Sequence, residues 1–202
     1  MTAVPARADW RDTLREATDL ALLGFAVALA ALPVLTLAPA LATASAALHD
    51  RSVTGSWPDA RTSLARFGRA LPAGLAVSAV ALAAVALLAA DLVALATGRV
   101  PGGEPALALT AVVVAVLLGY AGLVTVAVGR SGGRGWRTAA RDVARTCPQR
   151  PGVWAAASGI CALAVLLGVL VTPVAVPILG GYALAALHAL DARRPVPAPD
   201  PT

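Results

Sequence analysis

The segment Leu71–Thr97, with the sequence LPAGLAVSAVALAAVALLAADLVALAT, decides the fold class of this chain. Asp91 is its one charged residue, and it is longer than the roughly 20 residues that a helix needs to cross a hydrocarbon core about 30 Å thick. In lipid, a single apolar segment satisfies its backbone hydrogen bonds by forming an α-helix. Three further apolar blocks have the same character and are residues 20–48, 106–129 and 153–190. The sequence therefore predicts an all-α, polytopic transmembrane helix bundle.

The composition agrees with a chain that is surrounded by lipid. Hydrophobic residues make up 58% of the 202 residues and charged residues 13%, whereas a soluble domain is about a quarter charged. All sixteen basic residues are arginines, and the net charge is +5. The arginines fall between apolar blocks, where lipid headgroups would face them, so membrane lipids are the expected partners and nucleic acid is not.

The length of each later block sets the number of spans expected from it. Blocks 71–97 and 106–129 each fit one helix. The last block is long enough for two helices and has a pair of prolines near its middle, where a turn is most easily tolerated. We therefore expect separate spans at 153–171 and 174–190.

The first block, residues 20–48, is too short for two full crossings. Two arrangements fit it: one tilted helix kinked between Pro33 and Pro39, or a helix followed by a re-entrant piece. We favour the single kinked span. The prediction is thus about five spans, within a range of four to six, in one bundle over residues 1–192, followed by a disordered proline-rich tail at 193–202.

The arginines also predict the orientation in the cell membrane. Residues 130–152 hold six arginines against Asp142 alone, and residues 50–70 hold four arginines against two aspartates. Loops rich in Arg near span ends stay in the cytoplasm, so both belong inside and the short loop 98–105 outside. With five spans, the N-terminus is expected outside and the C-terminus in the cytoplasm.

Both cytoplasmic loops have the pattern of amphipathic interfacial helices, at about 58–70 and 134–147. Each combines spaced arginines with a tryptophan, which suits the headgroup layer. The candidate residues for a lipid or partner interface are Trp57, Arg61, Arg66, Arg69, Trp136, Arg137, Arg141 and Arg145. These helices either lock the orientation of the bundle or dock a partner protein.

A weak internal repeat is visible at an offset of 79 residues. This offset aligns Trp57 with Trp136 and Pro72 with Pro151, and it places Leu64-Ala65-Arg66 on Val143-Ala144-Arg145. The chain would then use a unit of span, interfacial helix and span twice. Such repeats are common in transporters, where binding sites lie between the halves.

Asp91 is the one acidic residue inside an apolar block, and a buried carboxylate in a membrane often marks a functional pathway. Its position near the outer boundary also suits a structural, paired role. His49 and His188 each end a span and are interpreted as helix-end residues. Cys147 and Cys161 show no metal spacing. The sequence predicts no metal site, no cofactor and no catalytic group, and hence not an enzyme.

Residues Leu32–Ala40, LPVLTLAPA, resemble the Leu-Pro-x-x-Thr-x-Gly-Pro-Ala stretch of the YesL-like family of bacterial membrane proteins, with Ala38 where that family has Gly. The likeness extends to Ser63–Phe67, to Asp91 and to the closing Arg193-Arg194. The family is small, multi-spanning and without an established biochemical activity. The resemblance makes Pro33, Thr36 and Pro39 candidate functional residues.

Members of that family often accompany bacterial genes for carbohydrate use. The resemblance therefore implies a component or accessory of solute uptake, with carbohydrate as the solute and a transport system as the partner. The alternative is a structural or regulatory scaffold that binds a partner protein through its Arg-rich cytoplasmic helices.

Overall fold

The computed structural model describes residues 10–98, 103–171 and 175–192, and every regular element in them is helical. The predicted all-α bundle is confirmed. In chain order the elements are α1 (Trp10–Ala30), a 3-10 turn (Val34–Thr36), α2 (Leu37–Thr54), α3 (Ala60–Ala96), α4 (Gly103–Arg130), α5 (Trp136–Thr146), α6 (Pro151–Leu170) and α7 (Ala175–Ala192). The proline-rich tail at 193–202 lies outside the described residues.

Four of the described helices are long and apolar enough to cross a membrane. They are α3, α4, α6 and α7, whose most apolar 18-residue windows have mean hydropathies between 1.4 and 2.5. The division of the last block is confirmed, because α6 ends at Leu170 and α7 begins at Ala175. Since α1 and α2 are not among the four, the first block departs from the prediction.

The prediction of one kinked span over residues 20–48 is wrong. The chain forms two helices there, and α1 begins ten residues earlier than expected, at Trp10. The two helices run antiparallel, because Asp19 in α1 forms an ion pair with Arg51 near the end of α2 at 3.2 Å. Pro33 has no backbone N–H and disfavours helix for the residue before it, so the chain can turn back at this point.

The tip of this α1–α2 hairpin stops short of the far end of α3. Asp50 pairs with Arg66 of α3, and twelve residues earlier the Ala38 N–H donates to the Ser78 hydroxyl of α3 at 2.9 Å. Helix α3 continues from Ser78 to Ala96, which is about 27 Å at 1.5 Å per residue. The hairpin therefore accompanies only the first part of α3.

The predicted interfacial helix at 58–70 is not separate from the span at 71–97. Both belong to α3, which passes through Pro72 without ending. Helix α2 packs along both parts, with Pro39 against Gly74, where an added Cβ would lie 2.6 Å from the proline ring. This packing offsets the hydrogen bond that Pro72 cannot make. The second predicted interfacial helix, at 134–147, is the separate helix α5.

Close helix crossings are made through small residues. At the α1–α7 crossing, a Cβ on Gly24 would overlap the Pro177 carbonyl, and a Cβ on Gly181 would overlap the Leu20 carbonyl. At the α4–α6 crossing, Gly119 lies against Ser158 in the same way. Small residues let helix backbones approach, which is how membrane helices gain van der Waals contact.

The two parts of the proposed repeat pack similarly. Ser78 of α3 lies on the start of α2 at Ala38, and Ser158 of α6 lies on α4 at Gly119. The pairs have nearly the same sequence separation, but α3 is continuous where the second unit is divided into α5 and α6. The repeat stays a prediction.

The start of α1 and the end of α7 lie at the same end of the bundle. Glu16 of α1 and Asp191 of α7 line one cavity, and Asp191 pairs with Arg130 at the end of α4. The expectation of termini on opposite sides followed from counting the first block as one crossing. Since that block forms two helices instead, the side of the membrane on which each terminus lies stays a prediction.

Candidate functional site

A half-open cavity of about 560 Å³ with several charged side chains in its wall opens at this end of the bundle, between α1, α2, α4 and α7. Its wall combines acidic, basic, imidazole and hydroxyl groups with alanine and leucine. The lining residues are Glu16, Leu20, Leu48, His49, Arg51, Ser52, Arg130, Ala185, His188, Ala189, Asp191 and Ala192. Polar groups are costly in an apolar bundle, so their convergence on one cavity makes it the candidate functional site.

The two arginines of the cavity are each balanced by a carboxylate. Arg130 and Asp191 are 2.5 Å apart, and the Asp191 side chain is only 6% exposed. Arg51 pairs with Asp19 on α1. Because a buried charge is stable only when it is paired, these ion pairs fix α4 to α7 and α2 to α1 around the opening.

The cavity leads down to a hydrogen-bonded layer between α2, α4 and α7. The Ser45 hydroxyl, fully buried in α2, lies 3.0 Å from the Thr125 carbonyl of α4 and 2.8 Å from Nε2 of His188 in α7. Ser45 has one proton, and the Thr125 carbonyl can only accept it. We therefore assign the proton of the second bond to His188 Nε2, which donates to Ser45.

Gly129 makes this layer possible. It lies in the last turn of α4, and a Cβ there would overlap the Ser45 side chain. A larger residue would push α2 away from α4 and separate Ser45 from the Thr125 carbonyl. The glycine is thus a packing requirement of the site.

Arg51 in the cavity wall forms a cluster with Asp19 and Trp57. The Trp57 indole N–H donates to the Asp19 carboxylate at 3.2 Å, and the Arg51 guanidinium lies 4.6 Å from the centroid of the Trp57 ring. This geometry is a cation–π contact. Trp57, predicted as an interface residue, therefore holds the loop after α2 against α1.

The structure places Asp91 and the Leu32–Ala40 residues away from the cavity. Asp91 is exposed near the far end of α3 and accepts a long, 3.4 Å hydrogen bond from Thr110 of α4. Pro33 is exposed at the hairpin tip, and Pro39 is buried against α3. The Thr36 hydroxyl reaches the carbonyls of Ala30 and Pro33, so it serves the end of α1.

Most of the predicted interface arginines are exposed and separate from the cavity. Arg66 is the exception, because it pairs with Asp50 at 2.5 Å. On α5, the buried positions Ala139 and Val143 face the bundle, whereas the arginines lie on the opposite, solvent-facing side. The exposed interface arginines are Arg61, Arg69, Arg137, Arg141 and Arg145.

Sequence reasoning missed the acidic and basic groups that make the cavity. Glu16 and Asp191 lie just outside the apolar blocks, and Arg130 appeared only as a loop charge. His49 and His188 were interpreted as helix-end residues, and both line the cavity. The available signal was that each of these residues lies close to the boundary of an apolar block.

Within residues 10–98, 103–171 and 175–192, no group of three or more His, Cys, Asp or Glu is placed to hold a metal ion. Cys147 and Cys161 are not joined in a disulfide.

Fold and site together define a polytopic α-helical membrane protein with a half-open cavity at its arginine-rich end. Comparisons with protein-family models, with curated proteins and with solved structures found no match to this chain. The class of protein thus rests on its own helices and cavity.

Proposed function

We propose that this protein is a component or accessory of solute uptake in the cell membrane and that the cavity between α1, α2, α4 and α7 binds the solute. The observation that carries the proposal is a cavity of about 560 Å³ lined by paired charges and two histidines in an otherwise apolar bundle. Its size falls within the roughly 300–1,000 Å³ of small-molecule sites. No catalytic role is proposed.

The pairing of both cavity arginines argues against an anionic solute and suits an uncharged, hydroxyl-rich one. Arg51 and Arg130 already face Asp19 and Asp191, so neither offers an uncompensated charge to an ionic ligand. Paired carboxylates and guanidiniums still present several donors and acceptors, as do Ser52 and His49. Carbohydrates carry many hydroxyls that both donate and accept, which is also the solute class implied by the YesL-like resemblance.

The α1–α2 hairpin supports a protein that is embedded in the membrane and is not merely bound to its surface. Arg51 and Arg130 line the cavity and Arg66 pairs with Asp50 of α2 at the same end of the bundle, whereas Asp91 lies near the far end of α3. Arginine near span ends marks the cytoplasmic side, so the cavity opens to the cytoplasm. The hairpin then enters from that side and turns back inside the membrane, where backbone irregularity is tolerated only against protein or water.

A scaffold role is the second candidate. The exposed arginines on one face of α5 favour it, because such a face can pair with an acidic partner. A scaffold would bind its partner through these arginines, so its function would not depend on the cavity.

The proposal is tested by measuring the uptake of radiolabelled sugars. The measurement uses a strain that lacks the gene and is complemented with the wild-type gene or with a variant. Arg130→Gln should abolish the restored uptake, and Arg137→Gln, a matched change on the exposed face of α5, should leave it intact. Surface expression of each variant is measured in parallel. Uptake that is unaffected by gene deletion for every sugar tried would remove the proposal, and loss with Arg137→Gln alone would favour the scaffold.

A further inference from the structure

The strongest unassigned surface lies outside the cavity, on helix α5 and the neighbouring base of α3. Arg137, Arg141 and Arg145 recur every four residues along α5 and are all exposed. None of the three forms an ion pair with another residue in the described part of the chain. Asp142 is the one acidic residue of α5, so the face carries a strong local positive charge.

The packing of α5 fixes the direction of this face. Ala139, Val143 and Cys147 follow the same four-residue spacing on the opposite side of the helix and are buried. The Tyr120 hydroxyl of α4 donates to the Ala140 carbonyl at 2.8 Å, which ties α5 to the bundle. The arginines therefore point away from the protein along the full length of the helix.

A second element adds to the surface. Gly133, just before α5, lies close to Ala70 of α3, and both are buried. Their sequence neighbours Arg69 and Arg134 are exposed. Two arginines from different segments thus flank one junction, beside the first turn of α5.

We infer that this surface, formed by Arg69, Arg134, Arg137, Arg141 and Arg145, binds the phosphodiester headgroups of anionic phospholipids. An amphipathic helix at the end of a spanning helix lies at headgroup depth, with its arginines towards phosphate. Arginine binds phosphate oxygens bidentately. The occupant is the lipid layer itself, because α5 is anchored to α4 and its exposed side carries the charge complementary to that layer.

Native mass spectrometry of the purified protein tests the inference. The protein is released from detergent that contains equal amounts of phosphatidylglycerol and phosphatidylcholine with the same acyl chains. Each basic residue near an anionic membrane surface strengthens binding about fivefold. The wild-type protein should retain phosphatidylglycerol preferentially, and R137Q/R141Q/R145Q should lower that preference by about a hundredfold. R137K/R141K/R145K should keep most of it, because the charge remains.

Arg15→Gln, an exposed arginine on α1 at the same end of the bundle, is the control and should leave the preference unchanged. Inorganic phosphate at equal concentration should not compete, because it lacks the acyl chains that hold a lipid at this depth. Equal retention of the two lipids by wild type, or a preference that survives the triple glutamine variant, would overturn the inference. So would an acidic protein that co-purifies with wild type and is lost from the triple variant while lipid retention stays the same.

Discussion

Arg130 of α4 and Asp191 of α7 form an ion pair at the cavity end of the bundle, and the carboxylate of that pair is almost completely buried. The pair joins two helices that are far apart in sequence and borders the cavity. Because the next turn of α7 carries His188, which bonds to Ser45 of α2, the same region connects three helices. The stability of the bundle and the shape of the cavity therefore depend on the same few contacts.

Replacing the arginine and replacing the carboxylate of this ion pair should reduce the stability of the protein by different amounts. Arg130→Gln leaves the Asp191 carboxylate buried without its counter-ion and should cost about 3 kcal/mol. Asp191→Asn should cost less, because the Arg130 side chain is 37% exposed and can reach water or headgroups. Thermal unfolding in detergent measures both. The double variant should be no less stable than Arg130→Gln, and simply additive losses would contradict the coupling.

Two neighbouring glycines in α7 should respond differently to the same substitution. Gly181→Ala places a Cβ on the Leu20 carbonyl of α1 and should destabilise the bundle by about 1–3 kcal/mol through overpacking. Gly180→Ala meets no atom within 4 Å and should be neutral or slightly stabilising, because alanine favours helix. Unfolding temperatures in the same detergent provide the comparison. Equal shifts for the two variants would show that α1 does not pack on α7 through Gly181.

Thr36 should matter through its hydroxyl and not through its shape. Thr36→Val removes the donor that reaches the Ala30 and Pro33 carbonyls, and in an apolar setting this should cost about 1 kcal/mol or more. Thr36→Ser keeps the hydroxyl and should preserve most of the stability. A valine variant as stable as the serine variant would mean that the hairpin tip does not depend on this bond.

Asp91 should be dispensable for solute binding. It lies near the far end of α3, away from the cavity, and its hydrogen bond to Thr110 is long. Asp91→Asn should therefore leave sugar uptake and binding at the wild-type level, whereas Asp191→Asn should reduce both. Uptake lost with Asp91→Asn at normal surface expression would move the functional site to the outer end of the bundle.

The apolar blocks predicted the spans α4, α6 and α7 closely, because a lipid-facing helix shows its whole length as hydrophobic sequence. The hairpin could not be predicted in the same way. Residues 20–48 have the composition of one span, and only tertiary contacts, such as Ala38 with Ser78, show that the chain turns back. The continuity of α3 through Pro72 likewise depends on α2 packing against both of its parts.

The site was less accessible to sequence reasoning than the fold. Glu16, Arg130 and Asp191 are single charged residues at the ends of different helices, and nothing in their spacing brings them together. His49 and His188 do not end their helices, because α2 continues to Thr54 and α7 to Ala192, and their shared cavity depends on the way α2 and α7 pack. The arginine face of α5, in contrast, was visible as a four-residue repeat.

We propose that the α1–α2 hairpin enters and leaves the membrane on the cytoplasmic side. This can be tested with single cysteines in a background without Cys147 and Cys161. Each cysteine is labelled with a membrane-impermeant maleimide, once in intact cells and once in inverted vesicles. Arg15→Cys and Ala192→Cys should label only from the cytoplasmic side, Glu104→Cys only from outside, and Leu35→Cys at the hairpin tip from neither. Labelling of Arg15→Cys and Ala192→Cys from opposite sides, or of Leu35→Cys from outside, would contradict the account.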